Sequence, residues 1–245
     1  MDAGDKPRYD TAEPEMNQEA ERDLRSYGRR RGRKPSPRQA ALLAHELPRV
    51  ALSLADPPPT RLHELFAPPV EEVWLEIGFG GAEHLLWQAR ANPNIGLIGC
   101  EPFEDGIVKA LSAIEQEKLA KIRLHADDAR PLLRWLPDAA IARAFILFPD
   151  PWPKKRHHKR RLVSVSTLAE LARVMRTDAE LRIATDIGEY ARWILLAIRE
   201  QPSFRWSAQG PRDWRERGAD WPPTRYERKA LGEGRQCAYF RFLRA

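Results

Sequence analysis

Cysteine is scarce: the 245 residues contain two, Cys100 and Cys237. They lie far apart and outside any CxxC pattern. This argues against a disulfide framework or a thiolate zinc site and makes a reducing cytosol the expected compartment. Long hydrophobic runs are missing too, since nothing approaches the roughly 18–20 apolar residues that span a bilayer. The N-terminus opens on Asp2, Asp5 and Asp10. A secretory leader would place a basic stretch and then an apolar one there, so none is expected. No His/Cys/Asp spacing asks for a metal ion. What remains is 42% hydrophobic and 31% charged residues, a globular composition with ample material for a core. Collagen, full disorder and a coiled coil are excluded. The length fits one large domain or two small ones.

The formal net charge of +6 is unevenly placed. Residues 1–21 are acid-rich. Residues 22–38 then carry Arg22, Arg25, Arg29, Arg30, Arg31, Arg33, Lys34 and Arg38 against Asp23 alone. A second basic run, Lys154-Lys155-Arg156-His157-His158-Lys159-Arg160-Arg161, contains no acid. Two concentrated basic stretches favour a polyanionic partner over a merely solvated surface.

Residues 1–35 show no hydrophobic period and read as a mobile arm, least ordered over 1–24. A short helix is expected over Gln39–Leu47, ending before Pro48. The triplet Pro57-Pro58-Pro59 marks a linker, so the expected division is an arm with a short helix over 1–60 and a catalytic domain over 61–245. Strands are expected at 73–77, 95–100, 122–125, 144–148 and 181–184. Helical stripes separate them: Ile107, Ala110, Leu111, Ile114; then Leu168, Leu171, Ala172, Met175 behind a capping box Thr167…Glu170; then Tyr190, Trp193, Ile194, Ala197. Alternation of this kind implies an α/β, doubly wound, mostly parallel sheet. The tail reads differently. Phe204–Gln209 and Cys237–Phe242 suggest an antiparallel edge pair with no strong helix between.

An acid lies near the C-terminal end of each expected parallel strand: Glu76, Glu101, Asp128 or Asp127, Asp150 and Asp186. Doubly wound sheets bind ligands in the crevice at those ends. Acids after strands are also common helix N-caps, which accounts for one or two of them. Five converging on one crevice repel each other unless a cationic or donor-rich group joins them. The turn Gly78-Phe79-Gly80-Gly81 follows the first strand, but Glu83 occupies the last glycine position of a dinucleotide fingerprint, and no Lys-Ser/Thr follows. A pyrophosphate is poorly served there. Glu101, with the spacing of a carboxylate that accepts ribose hydroxyls, and Asp128 suit a positively charged adenosyl cofactor without phosphate: S-adenosylmethionine.

The fourth strand leads into Phe148-Pro149-Asp150-Pro151-Trp152-Pro153. Proline fixes φ and pushes the residue before it toward extended backbone, so Asp150 is expected on a stiff, extended segment. An aspartate and an aromatic beside the basic run suggest a base-binding pocket with phosphate contacts next to it.

Together with Leu75-Glu76-Ile77-Gly78-Phe79-Gly80, Gly99-Cys100-Glu101, Asp128-Ala129, Ala184-Thr185-Asp186 and Thr224-Arg225-Tyr226-Glu227, that segment resembles the bacterial tRNA (guanine-N7-)-methyltransferases. The likeness spans roughly residues 25–242 and includes the basic lead-in Arg25-Ser26-Tyr27-Gly28-Arg29-Arg30. It implies a Rossmann-like class I methyltransferase fold and methylation of guanine N7 at position 46 of the tRNA variable loop. It implies that Glu76, Gly78, Gly80, Glu101, Asp128 and Asp150 line the cofactor site. Lys154, Asp186, Thr224, Arg225, Tyr226 and Glu227 would meet the tRNA. The chain departs from the family pattern at Ala82, where many members have glycine, and at Arg225 and Tyr226, where Lys and Phe are more usual.

Guanine N7 has a lone pair and no proton, so its attack on a sulfonium methyl needs no general base, and the product is cationic. Positioning and negative charge are the useful devices. Asp150 is expected to be catalytic in that sense, by orienting the purine and stabilising its charge, with Asp186 assisting. Three rivals stay open on sequence alone: a nicotinamide or nucleotide-sugar enzyme, disfavoured by Glu83; a metal-dependent nuclease using Asp150 and Asp186; and a non-catalytic RNA-binding protein on the same scaffold. No membrane association and no obligate protein partner are expected.

Overall fold

The computed structural model describes Arg30, Gly32 and residues 34–245. The expected mobile arm and the Arg25–Arg29 lead-in otherwise lie outside the described residues. The apolar runs form seven strands: β1 (Glu72–Ile77), β2 (Ile95–Cys100), β3 (Ile122–His125), β4 (Ile141–Leu147), β5 (Met175–Thr185), β6 (Phe204–Trp206) and β7 (Ala238–Arg244). They make one sheet in the order β3-β2-β1-β4-β5-β7-β6. β1 to β5 are parallel, and β7 runs antiparallel between β5 and β6. This is the mostly parallel sheet with an antiparallel C-terminal edge that the sequence pattern implied.

Before the sheet come α1 (Pro37–Ala41), a π-helical turn (Leu42–Glu46) and α2 (Leu47–Val50). The helices between strands are α3 (Glu83–Ala91), α4 (Glu104–Glu117), α5 (Ala129–Trp135), α6 (Val165–Val174) and α7 (Gly188–Arg199), with the short α8 (Arg212–Arg215) and α9 (Arg225–Gly232) near the end. Strand residues alternate between two faces. Trp74, Leu97 and Phe145 pack with Leu85 of α3 and Ile107 and Leu111 of α4. Leu75, Ile98, Ile146 and Leu181 pack on the other side with Leu132, Leu168, Leu171 and Ile194 from α5, α6 and α7. The expected apolar stripes are thus core faces.

Four local expectations are corrected. Pro48 does not end the first helical segment. It occupies the opening turn of α2, where a missing N–H costs nothing. The N-cap of α6 is Ser164, whose hydroxyl accepts from Thr167 N at 3.2 Å; Thr167 is the third helical residue and Glu170 pairs with Arg173 instead. A helix, α9, does stand between the tail strands. Its capping box is Thr224…Glu227, a signal the sequence carries in plain form. Lastly, Phe148 and Trp152, both before prolines, have φ of 53° and 43°, not extended backbone. Left-handed φ at bulky residues is strained, and such strain gathers at functional sites.

Candidate active site

The strand order reverses between β1 and β4, and the crevice outside their C-terminal ends is the position such sheets offer a ligand. The floor is the glycine turn after β1. Gly78 and Gly80 adopt φ of 76° and 54°, which side chains resist. Ala82, the departure from the family pattern, also has a left-handed φ of 63°, so alanine is retained at a position that favours glycine. Gly106 lets α4 close over the turn, since a Cβ there would sit 2.2 Å from Gly80 O.

Three carboxylates meet at this turn. Glu76, on β1, is 2% exposed and its Oε2 accepts from Nδ1 of His84 at 2.8 Å. Glu101 follows β2 and accepts from the backbone N–H groups of Gly80 (2.7 Å) and Phe103 (2.9 Å). Burial, with repulsion from Asp150 and Glu76, outweighs those donors and raises its pKa. Asp150 follows β4. It keeps an open face toward solvent, yet protein mass behind it desolvates the carboxyl and raises its pKa. Among the described residues no cation is a main influence on either pKa, and no hydrogen-bond partner of Asp150 occurs. Asp128 is nearby but committed: it N-caps α5, accepting from Arg130 N at 2.9 Å and the Arg130 guanidinium at 2.8 Å. Asp127 pairs with Arg30 and receives Asp128 N.

Beyond Asp150 the basic run winds into a 3-10 helix, Lys155–Arg160. Lys154, Lys155, Arg156 and Lys159 are exposed. His157 and His158 are half-buried, with His157 against Trp152 and His158 against Trp193. Arg161 corrects the expectation that the whole run faces phosphates. It is buried, donates to Pro151 O at 2.8 Å and Glu189 at 2.7 Å, and lies over the rings of Tyr190 and Trp193. It braces the segment that carries Asp150.

The remaining expected residues divide in two. Arg225 and Tyr226 stand over the glycine turn, for a Cβ on Gly80 would lie 3.1 Å from the Tyr226 ring and one on Gly81 3.2 Å from the Arg225 guanidinium. Thr224 and Glu227 are buried in the capping box of α9, and Glu227 also accepts from Arg217 at 2.9 Å and from the Tyr239 hydroxyl. Asp186, after β5, accepts from Arg235 at 2.7 Å. The sequence reading missed His84, Gln88 and Arg235. Nothing in a lone helical histidine tells that it will meet a carboxylate eight residues earlier.

Among the described residues no group of His, Cys, Asp and Glu forms a metal site, and no helix is long and apolar enough to cross a membrane. The donor set is acceptor-rich, short of cations and built beside a glycine turn. It fits a cationic ligand with hydroxyl and N–H donors.

Comparison with known proteins agrees. Residues 70–239 match a family model described as a putative methyltransferase. The tRNA (guanine-N(7)-)-methyltransferase of Chelativorans sp. (strain BNC1) is 50% identical over 89% of this chain and 94% of its own length. That of Rhodospirillum rubrum is 47% identical over 94% and 91%. Among solved structures, the 16S rRNA methyltransferase KamB superposes with a TM-score of 0.55 at 14% identity, covering 78% of this chain and 96% of its own, which establishes the shared fold. By these sequence matches the chain belongs to the tRNA (guanine-N(7)-)-methyltransferase family.

Proposed function

We propose that this chain methylates N7 of guanine in tRNA, at position 46 of the variable loop, with S-adenosylmethionine as donor, in the cytoplasm. The observation that carries the reading is Asp150: a carboxylate with raised pKa, beside Glu101 and Glu76, that has no donor among the described residues. Bound S-adenosylmethionine supplies an electrophilic methyl on a cationic sulfur. Glu76, Gly78, Gly80, Glu101, Asp128 and Asp150 hold it. Glu101 has spent one acceptor site per oxygen on Gly80 and Phe103 and keeps capacity for ribose hydroxyls. The backbone of Gly78 and Gly80 turns away to leave room. Asp128 acts through the start of α5.

Asp150 orients the purine by accepting from its N–H edge and opposes the positive charge that builds on it. No proton leaves N7, so no residue has to remove one. Lys154 with Lys155, Arg156 and Lys159 holds tRNA phosphates. Arg225 and Tyr226 meet the RNA over the glycine turn. Thr224 and Glu227 contribute by fixing the helix that presents them, and Asp186 contributes through Arg235 at the same rim. Residues 1–60 make up a polar and basic arm with a short helix, and 61–245 the catalytic domain.

The test is transfer of labelled methyl to a tRNA transcript, with the modified base mapped by cleavage specific for 7-methylguanosine. Label at a variable-loop guanine is the expected result. Label elsewhere, or none, contradicts the proposal.

A further inference from the structure

His84 is buried beneath the crevice, 2% exposed, edge-on to Phe145 at 4.6 Å and to Trp221 at 6.1 Å. Its Nδ1 faces Glu76, and its Nε2 faces Nε2 of Gln88 at 3.0 Å. Which ring nitrogen carries hydrogen depends on how the Gln88 amide is turned, and two backbone carbonyls decide that. Asn92 Nδ2 donates to Gln88 O at 3.0 Å and so must be the amide nitrogen; it also donates to Gln88 Oε1 at 2.9 Å. Gln88 Nε2 donates to Asp220 O at 3.1 Å. Turning the Gln88 amide would set N–H against N–H at Asn92 and oxygen against oxygen at Asp220, two mismatches at part-buried contacts in place of two hydrogen bonds. Gln88 therefore presents N–H to the ring. His84 Nε2 accepts, and Nδ1 carries the hydrogen and donates to Glu76.

We infer that His84 is a positioning residue for the cofactor: a donor locked in the Nδ1–H tautomer by Gln88, which orients the Glu76 carboxylate without cancelling its charge. An imidazolium in this place would neutralise Glu76 and turn a second N–H onto the Gln88 amide. A neutral donor leaves a full negative charge at the foot of the glycine turn, aimed at a cationic group such as the ammonium of S-adenosylmethionine. The same chain of contacts ends on the Asp220 carbonyl, so the lock is closed by the segment that leads to Arg225 and Tyr226. The inference rests on the proposed role of Glu76 in holding the cofactor.

The test uses the full chain and four proteins: wild type, H84L, H84N and E76Q. Titration calorimetry measures S-adenosylmethionine, and fluorescence anisotropy measures a tRNA transcript. Removing a donor to a charged buried acceptor weakens cofactor binding about 10- to 100-fold in H84L. tRNA affinity stays within about twofold, because no phosphate contact is touched. Asparagine can place an N–H where Nδ1 stood, so H84N recovers most of the loss. Nitrogen-15 NMR of the wild-type ring shows hydrogen on Nδ1 and a bare Nε2. Wild-type cofactor affinity in H84L, no recovery in H84N, equal loss of both ligands, or hydrogen on Nε2 overturns the inference. If E76Q binds the cofactor as wild type does, the role of Glu76 falls and the inference with it. If E76Q is weak while H84L is unimpaired, only the inference falls.

Discussion

At the β1–β3 end of the crevice every carboxylate has a donor from the protein: His84 for Glu76, two backbone amides for Glu101, Arg130 and its amide for Asp128. At the β4 end Asp150 has none among the described residues, and its pKa is raised by burial alone. The difference is between carboxylates fixed by the protein and one left open to a ligand. A saturated carboxylate is fixed in place and can shape a pocket. One without a protein donor is left to water on its open face, and a ligand that displaces that water has to satisfy it. The same contrast divides the basic run. Lys154, Lys155, Arg156 and Lys159 keep their charges in solvent, whereas Arg161, eleven residues after Asp150, turns inward and braces the chain.

The largest expected effect tests the first contrast. Asp150→Asn lowers the single-turnover methyl-transfer rate by about 10²–10³, while the ligand-free protein melts at the same temperature or higher. The sign follows from linkage. The folded pKa of Asp150 lies above its ordinary value, so its contribution favours the native state at low pH and is lost as pH rises through the folded pKa; at neutral pH the ionised carboxylate is a penalty that asparagine removes. A clear drop in melting temperature would make Asp150 structural and erase the distinction.

The second contrast gives the next effect. Arg161→Met costs about 2–3 kcal/mol of stability through lost charge-assisted hydrogen bonds, measured by urea denaturation, and leaves Pro151 O without its donor. Lys155→Ala stays within about 0.5 kcal/mol. Equal stabilities would mean that the inward arginine does no bracing. Smallest is the share of each exposed base in RNA binding. Lys155→Ala or Lys159→Ala reduces the slope of log affinity against log salt by about 0.7 and Arg161→Met leaves it unchanged. A slope that Arg161→Met alters and the lysine variants do not would reverse the assignment.

Much of the fold was legible because its signals are local. Five apolar runs and three helical stripes gave the parallel sheet, and the tail gave the antiparallel edge. Two local signals carry two meanings each. Proline stops a helix but also suits an opening turn, as Pro48 does, and Thr224…Glu227 is both a family motif and a capping box. The acids at the strand ends mark the crevice, where topology brings Glu76, Glu101 and Asp150 together. Their partners were not legible. His84 meets Glu76 and Arg235 meets Asp186 through tertiary packing. The burial of Arg161 depends on Tyr190 and Trp193 from α7, which charge counting along the run ignores.

If this crevice holds uncompensated negative charge for a cationic cofactor, proton linkage measures it. The pKa values of Glu101 and Asp150 are raised in the free protein, so each binds a proton more readily than an ordinary carboxyl. A cation arriving beside them lowers those values, so binding releases protons, and affinity falls as pH drops through the raised range. Calorimetric titration of S-adenosylmethionine in buffers of different ionisation enthalpy reports the number released. Net release is expected to grow as pH is lowered toward the carboxylate range and to shrink in Asp150→Asn. Proton uptake, or no proton exchange at any pH in that range, would contradict it.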